Sequence, residues 1–552
     1  MDTSLVEQAL GGGDTSGALD PLQIGEVLGR LIDPRAVAVE APKVVAEWAK
    51  VALGLSDIEV PERDAQYGDP LWRQHPAFRR LAQGHLAWTQ AVERMAEEDG
   101  AAWQDRERAR YVTNILTGAL SPANFLPTNP TAIKRAIDTG GLSLLRGARN
   151  FVHDVATNRG MPAMTDSSPF TVGENLACSP GAVVYREEMF ELLQYSPTTE
   201  NVRERPLLVV PPQVGRHYIL DLSPGRSLVE FAIASGVQTF TLVWRNPSTD
   251  PDCGHGNWGL EDYMSAVIRA FDVVKEITGA EDLNLLGFCA GGFTSALAQA
   301  HLAAKGSRPI HAATYLVTML DTRQPNMVTT LTTPGVDTAL TRSADRSTVI
   351  DAKTIAHNFN WMRPKDLVYG YAINNWLLGE APSAYDLLAW NDDAANISAA
   401  YVRDSTALMA SGDLVTPGGT TLLGTQIDLS AVESDNFIVA AQTDHITTWR
   451  PCYMTSQLLG GDSEMVVVNK GHIQTIVSPI EKSRQKYWAG PPTGPDPDQW
   501  REQAGQHSGS WWPHWAEWLI PRSGAEQVAP DRLGSIKYPA RESAPGQYVH
   551  EK

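Results

Sequence analysis

The spacing of apolar positions changes character along the chain. Between about residues 21 and 160, apolar residues recur every three or four positions, as in IGEVLGRLI, VVAEWAKVAL and FRRLAQGHLAWTQAVERMAEE. That spacing lays an apolar stripe along one face of a helix. Extended β-branched runs are almost absent there, so an all-helical N-terminal domain is predicted over 21–168. Residues 1–20 are Gly-rich and acidic without a period, which predicts a disordered tail.

Near residue 170 the period shortens. AVVYREEMFELLQY carries period-two stretches that predict a strand pair. RPLLVVPP is a short apolar run stopped by two prolines, and SGVQTFTLVWRNP is the next strand candidate. EDYMSAVIRAFDVVKEITG predicts an amphipathic helix ending at a glycine. LNLLGFCAGG predicts a buried strand entering a Gly-rich turn, and SALAQAHLAAKG a helix after it. This alternation implies an α/β fold with a parallel, doubly wound sheet. From about 320 to 430 the strand signal gives way to aromatic-rich sequence, including NFNWMRPKDLVYGYAINNWLLGE and AYDLLAWNDD. An inserted cap is expected there. Phe359, Trp361, Trp376 and Trp390 are candidates for lining a channel or for the cap's own core. Strands resume at NFIVAA and EMVVV. The catalytic domain is therefore placed at 169–552. The tryptophans at 500, 511, 512, 515 and 518 are expected to serve packing.

Length and charge narrow the function. A chain of 552 residues is long for one domain, which fits the division above. A formal net charge of −19 argues against nucleic acid as a partner, because the field repels phosphates. The four cysteines, at 178, 253, 289 and 452, form no C-x-x-C pair. They make neither a disulfide framework nor a cysteine metal site, and they suit a reducing, cytoplasmic compartment. The first residues lack the basic start and apolar core of a signal peptide. No apolar run is long enough to predict a transmembrane segment.

One constellation carries chemistry. Gly287-Phe288-Cys289-Ala290-Gly291 has the form G-x-C-x-G between a strand signal and a helix signal. In α/β-hydrolases the related G-x-S-x-G turn presents the nucleophile on a tight elbow. The helix start beyond it favours an anion, here a thiolate. The bland alternative is a buried structural cysteine in a Gly turn, which the strand–turn–helix context opposes. The chain order of this fold is nucleophile, acid, base. Asp444 follows FIVAAQ and His472 follows MVVVNK, so Cys289, Asp444 and His472 are the predicted catalytic residues. His445 is the alternative base and otherwise a substrate-binding candidate. Asp413, in a Ser-Gly-Asp turn, is the alternative acid. An oxyanion needs backbone donors. Ala290 is predicted to supply one, and Gln213 or Val214, after the double proline, the other. A thiol nucleophile fits acyl transfer from a thioester, since the acyl group stays activated in the product.

The motifs also carry a resemblance. YGDPLWRQHPAFRRLAQGHLAW, FTVGENLACSPGAVVYREEMFELLQYSP, PPQVGRHYILDLSPGRSLVEF, VWRNP, LNLLGFCAGG, MRPKDL, DHITTW and GHIQTIVSP follow one another in an order that resembles polyhydroxyalkanoate synthases. The stretch from GHIQTIVSP through HSGSWWPHWAEWL to YPARESAPGQYVHE is most similar to the single-subunit class II enzymes. The resemblance implies an α/β-hydrolase fold with a cap behind a helical N-terminal domain. It implies polymerisation of (R)-3-hydroxyacyl-CoA through a covalent cysteine thioester, with medium-chain units favoured and short-chain units not excluded. Family nucleophile, acid and base fall on Cys289, Asp444 and His472. No resident cofactor is implied, since CoA arrives on the substrate. The implied partners are the growing polyester, a second copy of the chain as a homodimer, and the polyester granule surface with its associated proteins. A cysteine-dependent thioesterase or esterase of the same fold is the alternative.

Overall fold

Leu207–Val210 and Leu283–Phe288 are buried at every position. Strands apolar on both faces belong inside a parallel sheet covered by helices. The computed structural model describes Gly29 and residues 33–97, 101–332, 334–346, 348–481 and 483–552. In it these two strands lie side by side near the centre of a ten-stranded sheet. The strands are β1 (Gly181–Arg186), β2 (Phe190–Tyr195), β3 (Leu207–Val210), β4 (Thr239–Trp244) and β5 (Leu283–Phe288). They continue with β6 (Ile310–Leu316), β7 (Asp435–Ala441), β8 (Ser463–Val468), β9 (Lys486–Gly490) and β10 (Gly505–Ser508). The spatial order is β1-β2-β4-β3-β5-β6-β7-β8-β9-β10. The middle, from β4 through β3 to β8, is parallel. The margins, β1-β2-β4 and β8-β9-β10, are antiparallel.

This order fixes where a site can form. From β3 the chain moves outward to β4, then crosses back to β5 on the other side of β3. The winding direction reverses there, and a crevice opens outside the carboxyl ends of β3 and β5. The double-proline loop follows β3, and the G-x-C-x-G turn follows β5.

The helical region begins with α1 (Pro34–Leu53), α2 (Pro76–Ala96), α3 (Trp103–Ala119), α4 (Pro130–Asp138) and α5 (Leu142–Thr157). Their boundaries have local causes. Asp33 caps α1 through the Arg35 N–H, and Gly54 ends it in the left-handed conformation. The predicted tail at 1–20 lies outside the described residues.

The expected cap at about 320–430 is where structure and sequence reading part. The chain forms two compact units, one of Met1–Ser167 with Lys353–Leu388, the other of Ser168–Ala352 with Ala389–Lys552. Residues 353–388 thus fold with the N-terminal helices rather than as part of a single cap. Side chains give the reason. The Trp376 Nε1–H donates to Asp154 Oδ2 at 2.8 Å, and its ring meets Phe151 edge-on at 5.1 Å. Trp361 packs with Met161 and Val368. Aromatic content signalled burial in this stretch, but not which helices would provide it.

The C-terminal tryptophans do pack. Trp500, Trp511, Trp512 and Trp515 are buried. The Trp515 Nε1–H donates to Thr314 Oγ1 on β6 at 2.9 Å, and the Trp511 Nε1–H to the Thr475 carbonyl at 2.8 Å. Among the described residues no helix is long and apolar enough to cross a membrane.

Candidate active site

Cys289 stands between β5 and α6 (Ala290–Ala304) with φ 50° and ψ −119°. A non-glycine residue at positive φ is strained, and such strain concentrates where a side chain must be presented. Glycines let the turn close. A Cβ on Gly287 would lie 2.5 Å from the Gly292 Cα. A Cβ on Gly291 would lie 2.4 Å from both the Val210 and Pro211 carbonyl oxygens. The first turn of α6 therefore sits directly against the loop after β3. Cys289 occupies the N-cap position, at the start of α6.

The acid and the base come from adjacent parallel strands. Asp444 follows β7 and His472 follows β8, and both are buried. Their separation is 2.6 Å from Asp444 Oδ2 to His472 Nδ1. The carboxylate is held from several directions. Oδ1 accepts the N–H groups of Ile446 and Thr447 at 2.8 and 3.1 Å. Oδ2 also accepts the Thr447 hydroxyl at 3.0 Å, and that hydroxyl lies 3.2 Å from His472 Nδ1. Burial pushes the Asp444 carboxyl up, but the positive charge and hydrogen bond of His472, with the Ile446 N–H, outweigh it and hold it below the usual range. Burial acts to lower His472. The Asp444 carboxylate and the nearby Cys289 sulfur overcome this and raise it above the ordinary imidazole value. A protonated imidazole beside a thiolate is the ready form of a cysteine nucleophile. The Phe288 ring lies 5.8 Å from the His472 ring, centroid to centroid, and flanks it.

The structure thus brings Cys289, Asp444 and His472 together. His445 is half-buried beside Asp444, whose carboxyl its charge helps to lower. Asp413, the alternative acid, is exposed in a short 3-10 turn, where its N–H meets the Ser411 hydroxyl. Ala290 opens α6, so its N–H is one that no helical carbonyl accepts. Among the described residues the backbone N–H groups of Gln213 and Val214 have no protein acceptor. The Gln213 side chain, in contrast, is engaged at both ends of its amide. Its Nε2 donates to Thr294 Oγ1 at 3.0 Å, and its Oε1 accepts the Tyr401 hydroxyl at 3.0 Å. Trp390 anchors the same loop through Nε1–H to the Arg216 carbonyl at 2.8 Å. No group of His, Cys, Asp or Glu among the described residues is arranged to hold a metal.

Sequence reasoning missed three residues here. Thr447 carries a signal, since a threonine three residues after a loop aspartate commonly turns back to it. Thr294 and Tyr401 carry none.

Relatives place the chain. A family model described as poly-beta-hydroxybutyrate polymerase (PhaC) N-terminus matches residues 63–232. The chain is 41% identical over 506 residues to poly(3-hydroxyalkanoate) polymerase 1 of Ectopseudomonas oleovorans, covering 92% of this chain and 90% of that protein. The chain belongs to the poly(3-hydroxyalkanoate) polymerase family. Polymerase 2 of the same organism is also 41% identical, over 91% of this chain and 89% of that protein. The poly(3-hydroxyalkanoate) polymerase subunit PhaC of Cupriavidus necator is 36% identical over 92% of this chain and 86% of that protein. Within a polymerase of this family, a thiol on a strained elbow backed by a buried Asp–His pair can take up, hold and pass on an acyl group.

Proposed function

We propose that this chain polymerises (R)-3-hydroxyacyl-CoA into a polyester with release of CoA, and that Cys289 carries the acyl group as a thioester. The observation that carries the reading is the 2.6 Å Asp444–His472 pair behind a thiol on a strained elbow. Family membership supports the substrate class.

The chemistry runs in two transfers. The Cys289 thiolate attacks the thioester carbonyl, and the developing oxyanion meets the N–H of Ala290 and that of Gln213 or Val214. The C–S bond to CoA breaks, and His472 delivers its proton to the departing CoA sulfur. Acylation removes the negative sulfur that helped hold the imidazolium, so His472, having given up its proton, stays in the neutral form that can accept one in the next step. It then takes the proton of a 3-hydroxyl group, whose oxygen attacks the Cys289 thioester. One ester bond forms, and the Cys289 sulfur leaves as thiolate. Asp444 keeps the ring oriented throughout and stabilises its positive charge. A thioester remains activated toward an alcohol, whereas a serine ester would exchange at near-neutral cost. Medium-chain units, a homodimeric assembly, a cytoplasmic location and attachment to polyester granules belong to the same proposal.

The test is Cys289→Ala and Cys289→Ser in purified protein, with labelled (R)-3-hydroxyacyl-CoA. CoA release and insoluble polymer are both scored. Both variants are expected to lose polymer formation, and wild type is expected to hold label in a thiol-sensitive linkage. Polymer from Cys289→Ala would sink the covalent route. Free hydroxyacid in place of polymer from wild type would favour the thioesterase alternative.

A further inference from the structure

The two loops that meet at the nucleophile are joined by a buried bridge of side chains. It begins at Tyr401, whose hydroxyl donates to Gln213 Oε1 at 3.0 Å. The Gln213 amide continues it, with Nε2 donating to Thr294 Oγ1 at 3.0 Å. The Thr294 hydroxyl completes it by donating to the Ala290 carbonyl at 3.0 Å. Tyr401, Gln213 and Thr294 are each at most 5% exposed. The bridge therefore links Gln213 and Ala290, two residues whose backbone N–H groups face the reacting carbonyl in the reading above.

Each joint is hydrogen-bonded on both sides. The Gln213 amide has one oxygen and one NH₂ group, and both are engaged. Thr294 lies one turn into α6, with its hydroxyl on the carbonyl four residues back, so the bridge lands on the same turn that presents Cys289. Tyr401 lies in the helix Ala399–Ser411, well outside both loops in sequence. Its ring packs edge-on against Tyr263 at 5.0 Å, which fixes the hydroxyl's position. The loop after β3 has no strand or helix of its own between Pro211 and Arg216. Trp244 and Trp390 hold the two ends of this loop through the Pro211 and Arg216 carbonyls, and the bridge is what ties Gln213, between them, to α6.

We infer that Tyr401 is a positioning residue for the reaction: acting through Gln213 and Thr294, it holds the loop after β3 so that its N–H groups and that of Ala290 converge on one oxyanion. This rests on the reading of Cys289 as the acylated residue. A buried amide that loses one of its partners must either strand an oxygen or turn to find another. Either response rotates the loop.

The experiment uses the full chain and (R)-3-hydroxyoctanoyl-CoA. Tyr401→Phe removes only the hydroxyl. It is expected to lower kcat on the order of ten-fold, less than the roughly hundred-fold or greater cost of deleting an oxyanion donor outright. KM is expected to change by less than about two-fold, since ground-state binding is untouched. Alkylation of Cys289 by iodoacetamide needs a thiolate but no oxyanion hole, so its rate is expected to match wild type. Thr294→Val should reproduce the kcat loss and Thr294→Ser should restore it, which separates positioning from a general loss of packing. The decisive measurement is a double-mutant cycle. In a Gln213→Leu background, Tyr401→Phe is expected to cost much less than in wild type, with a small remainder from the 3.5 Å contact of the Tyr401 hydroxyl with Thr294 Oγ1. Unchanged kcat in Tyr401→Phe, or effects of Tyr401→Phe and Gln213→Leu that simply multiply, would overturn the inference. Cys289→Ala, run alongside, tests the underlying reading separately: polymer from that variant would remove the acyl-cysteine itself, whatever Tyr401 does.

Discussion

The two sides of Cys289 are held in place by different means. On the acid–base side, Asp444 is fixed almost entirely by its own loop. The Ile446 and Thr447 N–H groups and the Thr447 hydroxyl all lie within three residues of it. On the oxyanion side, the Gln213 loop is fixed by partners 81 and 188 residues away in sequence. A local turn can be rebuilt wherever a strand delivers it. A loop held by remote side chains depends on the packing of other elements. The acid–base side should therefore respond to changes in its own few residues, and the oxyanion side to changes far off.

The largest expected effect tests the local side. Asp444→Asn keeps the shape but removes the charge, and it lets His472 settle in the wrong tautomer. CoA release should fall on the order of 10⁴-fold, as in other triads so altered. The same variant changes the pH dependence of stability. His472 is raised in the folded state, so its contribution to stability is fully present below about pH 6.5 and is lost as pH rises through the higher folded value. Without the carboxylate, its upward pull is lost and the imidazole falls, held up only by the Cys289 sulfur. The alkaline loss of stability expected of wild type should then shrink, as measured by denaturant unfolding between neutral and alkaline pH. A wild-type turnover rate in Asp444→Asn would mean that the pair does not drive the reaction.

Next in size is a change at the seam between the two sides. Gly291→Ala places a methyl group 2.4 Å from two backbone carbonyl oxygens, Val210 and Pro211. Neither can rotate away as a side-chain tip would, so the loop after β3 must shift. A loss of about 2 kcal/mol in stability is expected from overpacking, together with a roughly hundred-fold fall in kcat from displaced oxyanion donors. Alkylation of Cys289 should remain rapid, because the acid–base side does not pass through Gly291. Equal loss of alkylation and turnover would show that the two sides are not separately held.

The same contrast explains what could be read from the sequence. Buried strands such as Leu283–Phe288 are apolar but for Asn284, and the strand–turn–helix around Cys289 is local, so both are legible. Asp444 and His472 are legible because each follows a strand signal in the order this fold requires. Thr447 was within reach on spacing alone. Tyr401 was not, since its role depends on a helix and a loop meeting in space. The segment at 353–388 shows the same limit at larger scale. Its aromatic residues announced burial, but the choice of the N-terminal helices as partner lies in contacts such as Trp376 with Asp154.

The smallest effect separates the parts of the local side. Thr447→Val removes the hydroxyl that touches both Asp444 Oδ2 and His472 Nδ1, and leaves the Thr447 N–H in place. One hydrogen bond of this kind contributes about 1 kcal/mol, so turnover should fall roughly five-fold. The direction of the pH shift is the sharper readout. Asp444 is depressed in the folded state, so its contribution to stability is present above its unfolded value and is lost as pH falls through the folded one. Taking away one donor moves the folded value up toward the unfolded one. The acid limb of kcat/KM and the onset of acid unfolding should therefore both move to higher pH in Thr447→Val, and both should return in Thr447→Ser. His445 and Cys452 also interact with the Asp444 charge, and Cys452 feels the Thr447 side chain as well, so the return in Thr447→Ser is what assigns the shift to the hydroxyl. If only turnover changes while the acid limb stays fixed, the hydroxyl orients the His472 ring and leaves the charge on Asp444 to the backbone N–H groups.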